Sequence, residues 1–500
     1  MSDWTDFVNA PKGVIVAAAG HGKTYAIGSC LNVLIPRIEQ PALILTHTNA
    51  GVASIRKKIA ERKLDYSKCT IETIHSFSQK YVLAFYCGTD LPSQEDKSYF
   101  EAITRIALQL FSLPSIKGIL SISYSHLFVD EYQDCSEEQH RIVLELSKVL
   151  PTHIFGDPLQ GIFKFNSQKM VDMSKDLAEF IPFELLNEPW RWKVNNNNEV
   201  LGEQILECRK KLLEGDHPTI ELKSNPAASY YFQPMSFEFI DFNDPGFSTY
   251  TNKIRSIINF FNKTSQSILI LVPSFFDGQG LRGKLNDRMK LKTRFDFEDQ
   301  FILLDAIDQK EYYDRAKEID HIITSISSAH KKYDRVTDLL KNLSFKSKDI
   351  FPWIRDNHVV KKTKEERELS AELDSLCTSF FTSPSLSGVK GLIDFFSNRL
   401  NLTVKLPSVL HAERQCISAA IEKGASVYSC MVEYKNRIRK GGRKIEGSCI
   451  GTTLLTKGLE FDNVLVLDAH RIVDKENFYV AISRACKNLV IVSKSPFLSF

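Results

Sequence analysis

The stretch Ala17-Ala18-Ala19-Gly20-His21-Gly22-Lys23-Thr24 constrains this chain more than any other. It follows an apolar run at 13–16 and precedes a helix-compatible run at 25–34, so the order is strand, tight loop, helix. Gly20 and Gly22 let the backbone turn until successive N–H groups face an anion. The helix that follows adds the positive end of its dipole at the same place. Lys23 is then placed for the β- and γ-phosphates of a nucleotide, and the Thr24 hydroxyl for Mg2+. The usual spacing is G-x-x-x-x-G-K-[ST]; here Ala17 takes the position of the first glycine.

The chain has 500 residues, enough for roughly two to four domains. Its net charge of +3, from 64 basic and 61 acidic side chains, neither demands nor excludes nucleic acid. Ten cysteines without a C-x-x-C pair indicate neither a zinc site nor a disulfide frame, and point to a reducing compartment, so a cytoplasmic location is expected. Residues 1–11 carry Asp3 and Asp6 and no long apolar core, unlike a signal peptide. Apolar runs such as 268–272 are too short to span a bilayer, so no membrane partner is expected.

Residues 41–46 read as a short buried strand running into His47-Thr48-Asn49-Ala50-Gly51. In the helix that follows, Val52, Ile55 and Ile59 share one face and Arg56, Lys57 and Lys58 lie elsewhere. That is either a solvated amphipathic helix or a grip on a phosphodiester backbone. Residues 70–77 read as a second strand followed by hydroxyls and one histidine, His75. Residues 79–126 read as a small helical insertion, interrupted at 88–93 and at 113–114. Leu127-Phe128-Val129 then ends in Asp130-Glu131-Tyr132-Gln133-Asp134. In a parallel α/β sheet the carboxyl ends of strands bind ligands, so Asp130 would hold Mg2+ and Glu131 would orient and deprotonate a water. The alternative is a strand-to-helix turn with helix-start acids. A further strand at 154–156 ends in a polar turn whose Gln160 can sense a γ-phosphate. Phe163 and Phe165 flank Lys164, as base-stacking faces or as a half-buried strand.

In order and spacing these motifs resemble the UvrD/Rep-like superfamily 1 helicases, the branch that moves 3′ to 5′ along single-stranded DNA. Residues 17–24 look like motif I, 46–49 like motif Ia, 73–77 like motif Ib, 130–134 like motif II and 156–160 like motif III. Leu186-Asn187-Glu188-Pro189-Trp190-Arg191 looks like motif IV, 451–462 like motif V, and Tyr479-Val480-Ala481-Ile482-Ser483-Arg484-Ala485 like motif VI. The resemblance implies ATP and Mg2+ as cofactors. It implies ATP contacts from Ala19, Gly20, His21, Gly22, Lys23, Thr24, Tyr25, Trp190, Arg191, Gly458, Glu460 and Arg484. Within that set Trp190 would stack on adenine, Arg191 would reach the γ-phosphate and Arg484 would be an arginine finger. Lys23, Asp130, Glu131, Gln160, Arg191 and Arg484 would be catalytic, with Thr24 and Asp130 on the metal. DNA contacts would come from His47, Thr48, Asn49, Thr73, His75, Ser76, Phe163 and Phe165. Three positions depart from the family pattern. No glutamine precedes Ala17 to read adenine, His47 replaces an aromatic that stacks on DNA, and Leu454 stands where motif V often has histidine.

The expected fold is α/β: two RecA-like P-loop NTPase domains, parallel sheets flanked by helices, with mostly helical inserted subdomains. Residues 1–184 would form the first motor domain with an insertion at about 80–125. Residues 185–280 and 441–500 would form the second, with a mostly helical insertion at 281–440. Inside that insertion 379–388 is Ser-rich and reads as a flexible link. Lys435, Arg437, Arg439, Lys440, Arg443 and Lys444 surround Gly441-Gly442, as a phosphate grip or a solvated turn. Two functional readings follow. One is a DNA-dependent ATPase that translocates 3′ to 5′ on single-stranded or tailed duplex DNA as a helicase. The other is a regulatory subunit that senses nucleotide and DNA and controls a partner nuclease, as in Gabija-type anti-phage systems, whose helicase-like subunit is similar in size and layout.

Overall fold

The structure, a computed structural model, describes residues 4–92, 98–162, 169–235, 246–264, 267–273, 288, 291–292, 301–304, 310–324, 332–343, 345–363, 366–402, 404, 407–441 and 447–500. The strands of the first sheet are β1 (Lys12–Val16), β2 (Ala42–Thr46), β3 (Cys69–Thr73), β4 (Leu127–Val129), β5 (Thr152–Gly156) and β6 (Ile181–Pro182). Further along come β7 (Thr219–Glu221), β8 (Tyr230–Pro234), β9 (Ile268–Leu271), β10 (Phe301–Leu303), β11 (Ile354–Arg355), β12 (His358–Val359), β13 (Ser448–Gly451), β14 (Phe461–Val466), β15 (Ala485–Ser493) and β16 (Phe497–Ser499).

Two six-stranded sheets dominate, in the orders β3-β2-β4-β5-β1-β6 and β10-β13-β9-β14-β15-β8. Every pairing in both is parallel. Parallel strands need crossovers, and the crossovers place helices on both faces, so the strands are buried on both sides. The residue pattern supplies this. Ala42-Leu43-Ile44-Leu45-Thr46 is buried throughout. Its odd members Leu43 and Leu45 join Phe77, Phe111 and Ile142 on one face. Ala42 and Ile44 join Ile27, Leu31 and Ile55 on the other. The second sheet alternates the same way, with Leu269 and Leu271 on one face and Ile268 and Ile270 on the other. Both sheets have the architecture of RecA-like P-loop NTPase domains.

The helices Ile74–Phe85, Ser98–Ser112 and Pro114–Ser123 lie between β3 and β4. Pro114 opens the last of them at a position where its missing N–H costs nothing. Among the described residues no single helix is long and apolar enough to cross a membrane.

The chain divides into two compact units, Met1–Asp305 with Gly442–Phe500, and Ala306–Gly441. The first holds both sheets and the antiparallel pair β7–β16. Among its described residues the second is mostly helical, with the hairpin β11–β12, an isolated bridge between Phe345 and Val404, and helices including Lys310–Thr324, Glu366–Thr382, Leu386–Asp394, Pro407–Lys423 and Val427–Gly441. Its core contains a buried ion pair, Arg315 Nε to Glu413 Oε1 at 2.7 Å.

Two sequence expectations are corrected here. The Ser-rich stretch 379–388 is not a flexible link. One helix runs to Thr382 and the next starts at Leu386, with the Ser385 hydroxyl accepting from the Gly388 N–H at 3.2 Å as its N-cap. Nor is Lys435 part of a solvated turn. It lies within the helix Val427–Gly441, is 4% exposed, and sits over the Tyr312 ring. Residues 443 and 444 lie outside the described residues.

Candidate functional site

The phosphate loop leaves the carboxyl end of β1, where the Ala17 N–H continues the ladder to the Gly156 carbonyl at 3.1 Å. Gly20 and Gly22 have φ of 72° and 84°, a region open to glycine and strained for other residues. The helix Lys23–Leu34 starts directly after them. The Lys23 ammonium turns back to donate to the carbonyls of Ala17 at 2.7 Å and Ala18 at 3.2 Å. Burial lowers its pKa, and Asp157, Glu131 and Asp130 oppose that. His21 is buried, with Nδ1 2.9 Å from the Ala19 carbonyl, and burial lowers its pKa.

The acids stand at the adjoining strand end. Asp130 Oδ2 accepts from the Thr24 hydroxyl at 3.2 Å, and its Oδ1 from the Glu131 N–H at 3.0 Å. Burial and then the neighbouring Glu131 push the Asp130 carboxyl up, with Lys23 opposing. Burial also works against ionised Glu131, but Lys457, Lys23 and the Gln133 amide outweigh it, so its pKa is lowered. Glu131 has φ 54°, the left-handed region, and accepts from the Gln133 amide, which fixes its carboxylate. Gln133 also accepts from the Asp157 N–H at 2.9 Å, tying the ends of β4 and β5 together.

The second sheet reaches this site from its own strand ends. Gln160 Nε2 donates to Asp157 Oδ2 at 3.0 Å, and Arg484 Nη2 approaches Gln160 Oε1 at 3.4 Å. Arg484 is 2% exposed and is also held by the carbonyls of Val480 at 3.0 Å and Leu459 at 3.2 Å. Burial, then the nearby Arg191, lower its pKa to about 10, while Glu460 and Glu131 oppose. Arg191 pairs with Glu460 at 2.7 Å and donates to the Ser483 carbonyl, while its own N–H donates to the Gly20 carbonyl at 3.0 Å. Lys457 donates to Asp134 and to the Gln160 carbonyl, joining the sheets a second time. Gly458 follows at φ 81°. Lys23, Thr24, Asp130, Glu131, Gln160, Arg191 and Arg484 are therefore brought together, from residues far apart in the chain.

The donor set fits a magnesium–triphosphate. A hydroxyl and a carboxylate oxygen, Thr24 and Asp130, meet as hard ligands for Mg2+. Lys23, Arg191 and Arg484 supply cations around a glycine loop. Tyr25 and Trp190 are 57% and 49% exposed and flank Gly22.

The residues expected to meet DNA are placed less uniformly. Thr48 and Thr73 are helix N-caps, accepting from the N–H groups of Gly51 at 3.1 Å and Ser76 at 3.0 Å. Asn49 is the first residue of the helix Asn49–Glu61. His75 lies 4.6 Å from Phe100, ring to ring, and burial lowers its pKa to about 4. His47 is half-buried; burial, with Lys457 adding, lowers its pKa to about 4. Phe163 and Phe165 lie outside the described residues.

Three contributors escaped the sequence reading. Arg209 pairs with the fully buried Asp157 at 2.9 Å. The Tyr479 hydroxyl accepts from the Ala19 N–H at 2.9 Å. Trp192 is fully buried with its indole N–H on the Ala485 carbonyl at 2.7 Å. Arg209 sits in the run Arg209-Lys210-Lys211, which looks like any solvated helix end. Tyr479 and Trp192 stood inside or beside motifs, and that position was the available signal.

A family model described as an AAA domain matches residues 5–166. That family is a P-loop NTPase family found in UvrD/Rep-like helicases, so the match supports a helicase-like superfamily and a nucleotide-dependent activity. No curated protein matches the chain.

Proposed function

We propose that this chain is a DNA-dependent ATPase that moves 3′ to 5′ along single-stranded DNA, hydrolysing ATP between its two RecA-like domains. The observation that carries the reading is the convergence of Lys23, Thr24, Asp130 and Glu131 from one sheet with Arg191 and Arg484 from the other. Phosphoryl transfer needs positioning and charge neutralisation rather than covalent help. Bound Mg2+ would neutralise phosphate charge, with Thr24 and Asp130 as its holders. Glu131, kept ionised by Lys457 and Lys23, orients and deprotonates the attacking water. Lys23, Arg191 and Arg484 offset the charge that builds on the phosphates. Because the arginines and Gln160 lie on different sheets, hydrolysis depends on how the sheets meet, and each turnover shifts one DNA grip relative to the other.

The test is ATP hydrolysis by the full chain with and without single-stranded DNA, beside Lys23→Ala, and strand displacement from 3′- and 5′-tailed duplexes. The expected result is DNA stimulation, loss of turnover in K23A, and displacement from the 3′ tail alone. Hydrolysis indifferent to DNA would refute the reading. A second reading, a sensor subunit that governs a partner nuclease in anti-phage defence, draws on His47, half-buried where an exposed stacking aromatic would serve DNA better. DNA-stimulated hydrolysis with no displacement from either tail would favour it.

A further inference from the structure

We infer that Arg62 is a positioning residue that braces Tyr25 as a stacking platform for a purine base; this rests on the nucleotide site proposed above. Tyr25 directly follows Lys23-Thr24 in the helix that opens at the loop, and more than half of its surface is open. The Arg62 guanidinium covers one face of its ring, with Cζ 3.8 Å from the centroid. The arginine is itself fixed. It caps the C-terminus of the helix Asn49–Glu61, and its Nη2 donates to the Tyr25 carbonyl at 3.3 Å and the Ser29 hydroxyl at 3.0 Å. The helix below makes room for it. A Cβ on Gly28 would come within 2.8 Å of Arg62 Cδ and 2.9 Å of Nε. Glycine inside a helix costs about 1 kcal/mol relative to alanine, and here it stands where the arginine crosses.

Tyr25 starts from the edge of the phosphate loop. The Tyr25 Cβ and the Trp190 Cδ1 each lie 3.7 Å from the point a Cβ on Gly22 would occupy. Two exposed aromatics therefore border the loop that would hold the phosphates of a nucleotide, within reach of its base. Stacking on an aromatic face accepts any base but rewards the larger purine rings. A guanidinium on the far face holds the ring in one orientation and removes the ordering cost that a free tyrosine would incur on binding. The base is thus selected by its area, while Lys23 and the loop amides take the phosphates.

The experiment is calorimetric binding of ATP, UTP and inorganic tripolyphosphate, each with Mg2+, to the full chain and to Arg62→Ala, Arg62→Lys and Tyr25→Ala. Wild type is expected to bind ATP more tightly than UTP. R62A should weaken ATP by about two- to fivefold, narrow the gap between ATP and UTP, and leave tripolyphosphate unchanged, which also shows that the loop is folded. R62K should recover part of the loss, and Y25A should reproduce the narrowing. The proposal is overturned if R62A leaves ATP affinity intact, or weakens tripolyphosphate as much as ATP. It is also overturned if wild type binds tripolyphosphate well yet holds ATP and UTP alike, a result that leaves the phosphate site standing. Wild type that binds none of the three removes the nucleotide reading itself and this inference with it.

Discussion

Gly20→Ala measures how tightly the second sheet packs on the phosphate loop. A Cβ at Gly20 would lie 2.7 Å from Trp192 Cζ3 and 3.0 Å from Arg191 Cβ. Trp192 cannot move aside cheaply, because it is fully buried and its indole N–H is anchored on Ala485. The left-handed backbone at φ 72° costs an alanine about 1–2 kcal/mol, and overpacking against a fixed side chain adds about 1–3 kcal/mol. The expected loss is therefore about 2–5 kcal/mol. Gly22→Ala is the matched control. Its φ of 84° carries the same backbone strain, but its nearest neighbours are at 3.7 Å, so only about 1–2 kcal/mol should be lost. Gly118→Ala, in open space within the helix Pro114–Ser123, should gain just under about 1 kcal/mol. Urea denaturation followed by tryptophan fluorescence ranks the three. If G20A and G22A lose equal stability, Trp192 does not press on the loop, and the convergence of the two sheets loses its support.

His153 is fully buried beside Phe7 and Phe128, and burial lowers its pKa from 6.5 to about 4. The unfolded chain protonates it first, so stability present above about pH 6.5 falls by up to about 3 kcal/mol as the pH drops toward 4. His153→Leu should flatten that acid limb in pH-dependent denaturation; a limb of unchanged slope would contradict the assignment. Arg209→Met strands the buried Asp157 carboxylate and should cost about 3–5 kcal/mol, most of it recovered by adding Asp157→Asn. Equal losses in the single and double variants would refute the pairing. Ser385→Ala should cost about 1 kcal/mol and Ser385→Gly only a few tenths, by thermal denaturation. No difference between them would restore the flexible-link reading of 379–388.

Part of the sheets was legible because several strands, such as those at 42–46, 127–129 and 152–156, are short apolar runs that give way to polar residues, whereas β6, β8 and β10 were not read as strands. Leu127-Phe128-Val129 followed by Asp130-Glu131 is the clearest case: the polar run marks the strand's end, although Asp130 is buried there with its carboxylate accepting from Thr24 and the Glu131 N–H. Gly20 and Gly22 announced their backbone conformation, and the structure gives both a positive φ. What stayed hidden was decided by tertiary neighbours. Arg209 looks like its neighbours Lys210 and Lys211, yet it alone finds Asp157 across the sheets. Lys435 carries the composition of a surface run but packs onto Tyr312. Ser385 was lost in a serine-rich average, although one serine in an extended conformation just ahead of a helix is a start signal rather than slack.

Among the described residues the strand β8 has a single neighbour in its sheet, β15, which lies about 250 residues further along the chain. As the chain emerges from the ribosome at about 5–20 residues per second, Tyr230–Pro234 waits on the order of tens of seconds for Ala485–Ser493 to be made. Throughout that interval the ladder to β15 cannot form, and the segment has only local partners such as the Asn225–Tyr230 bridge and the Ser224 hydroxyl. The second sheet therefore closes only once Ala485–Ser493 exists, and Arg484, directly ahead of that strand, comes to lie against Gln160 with it.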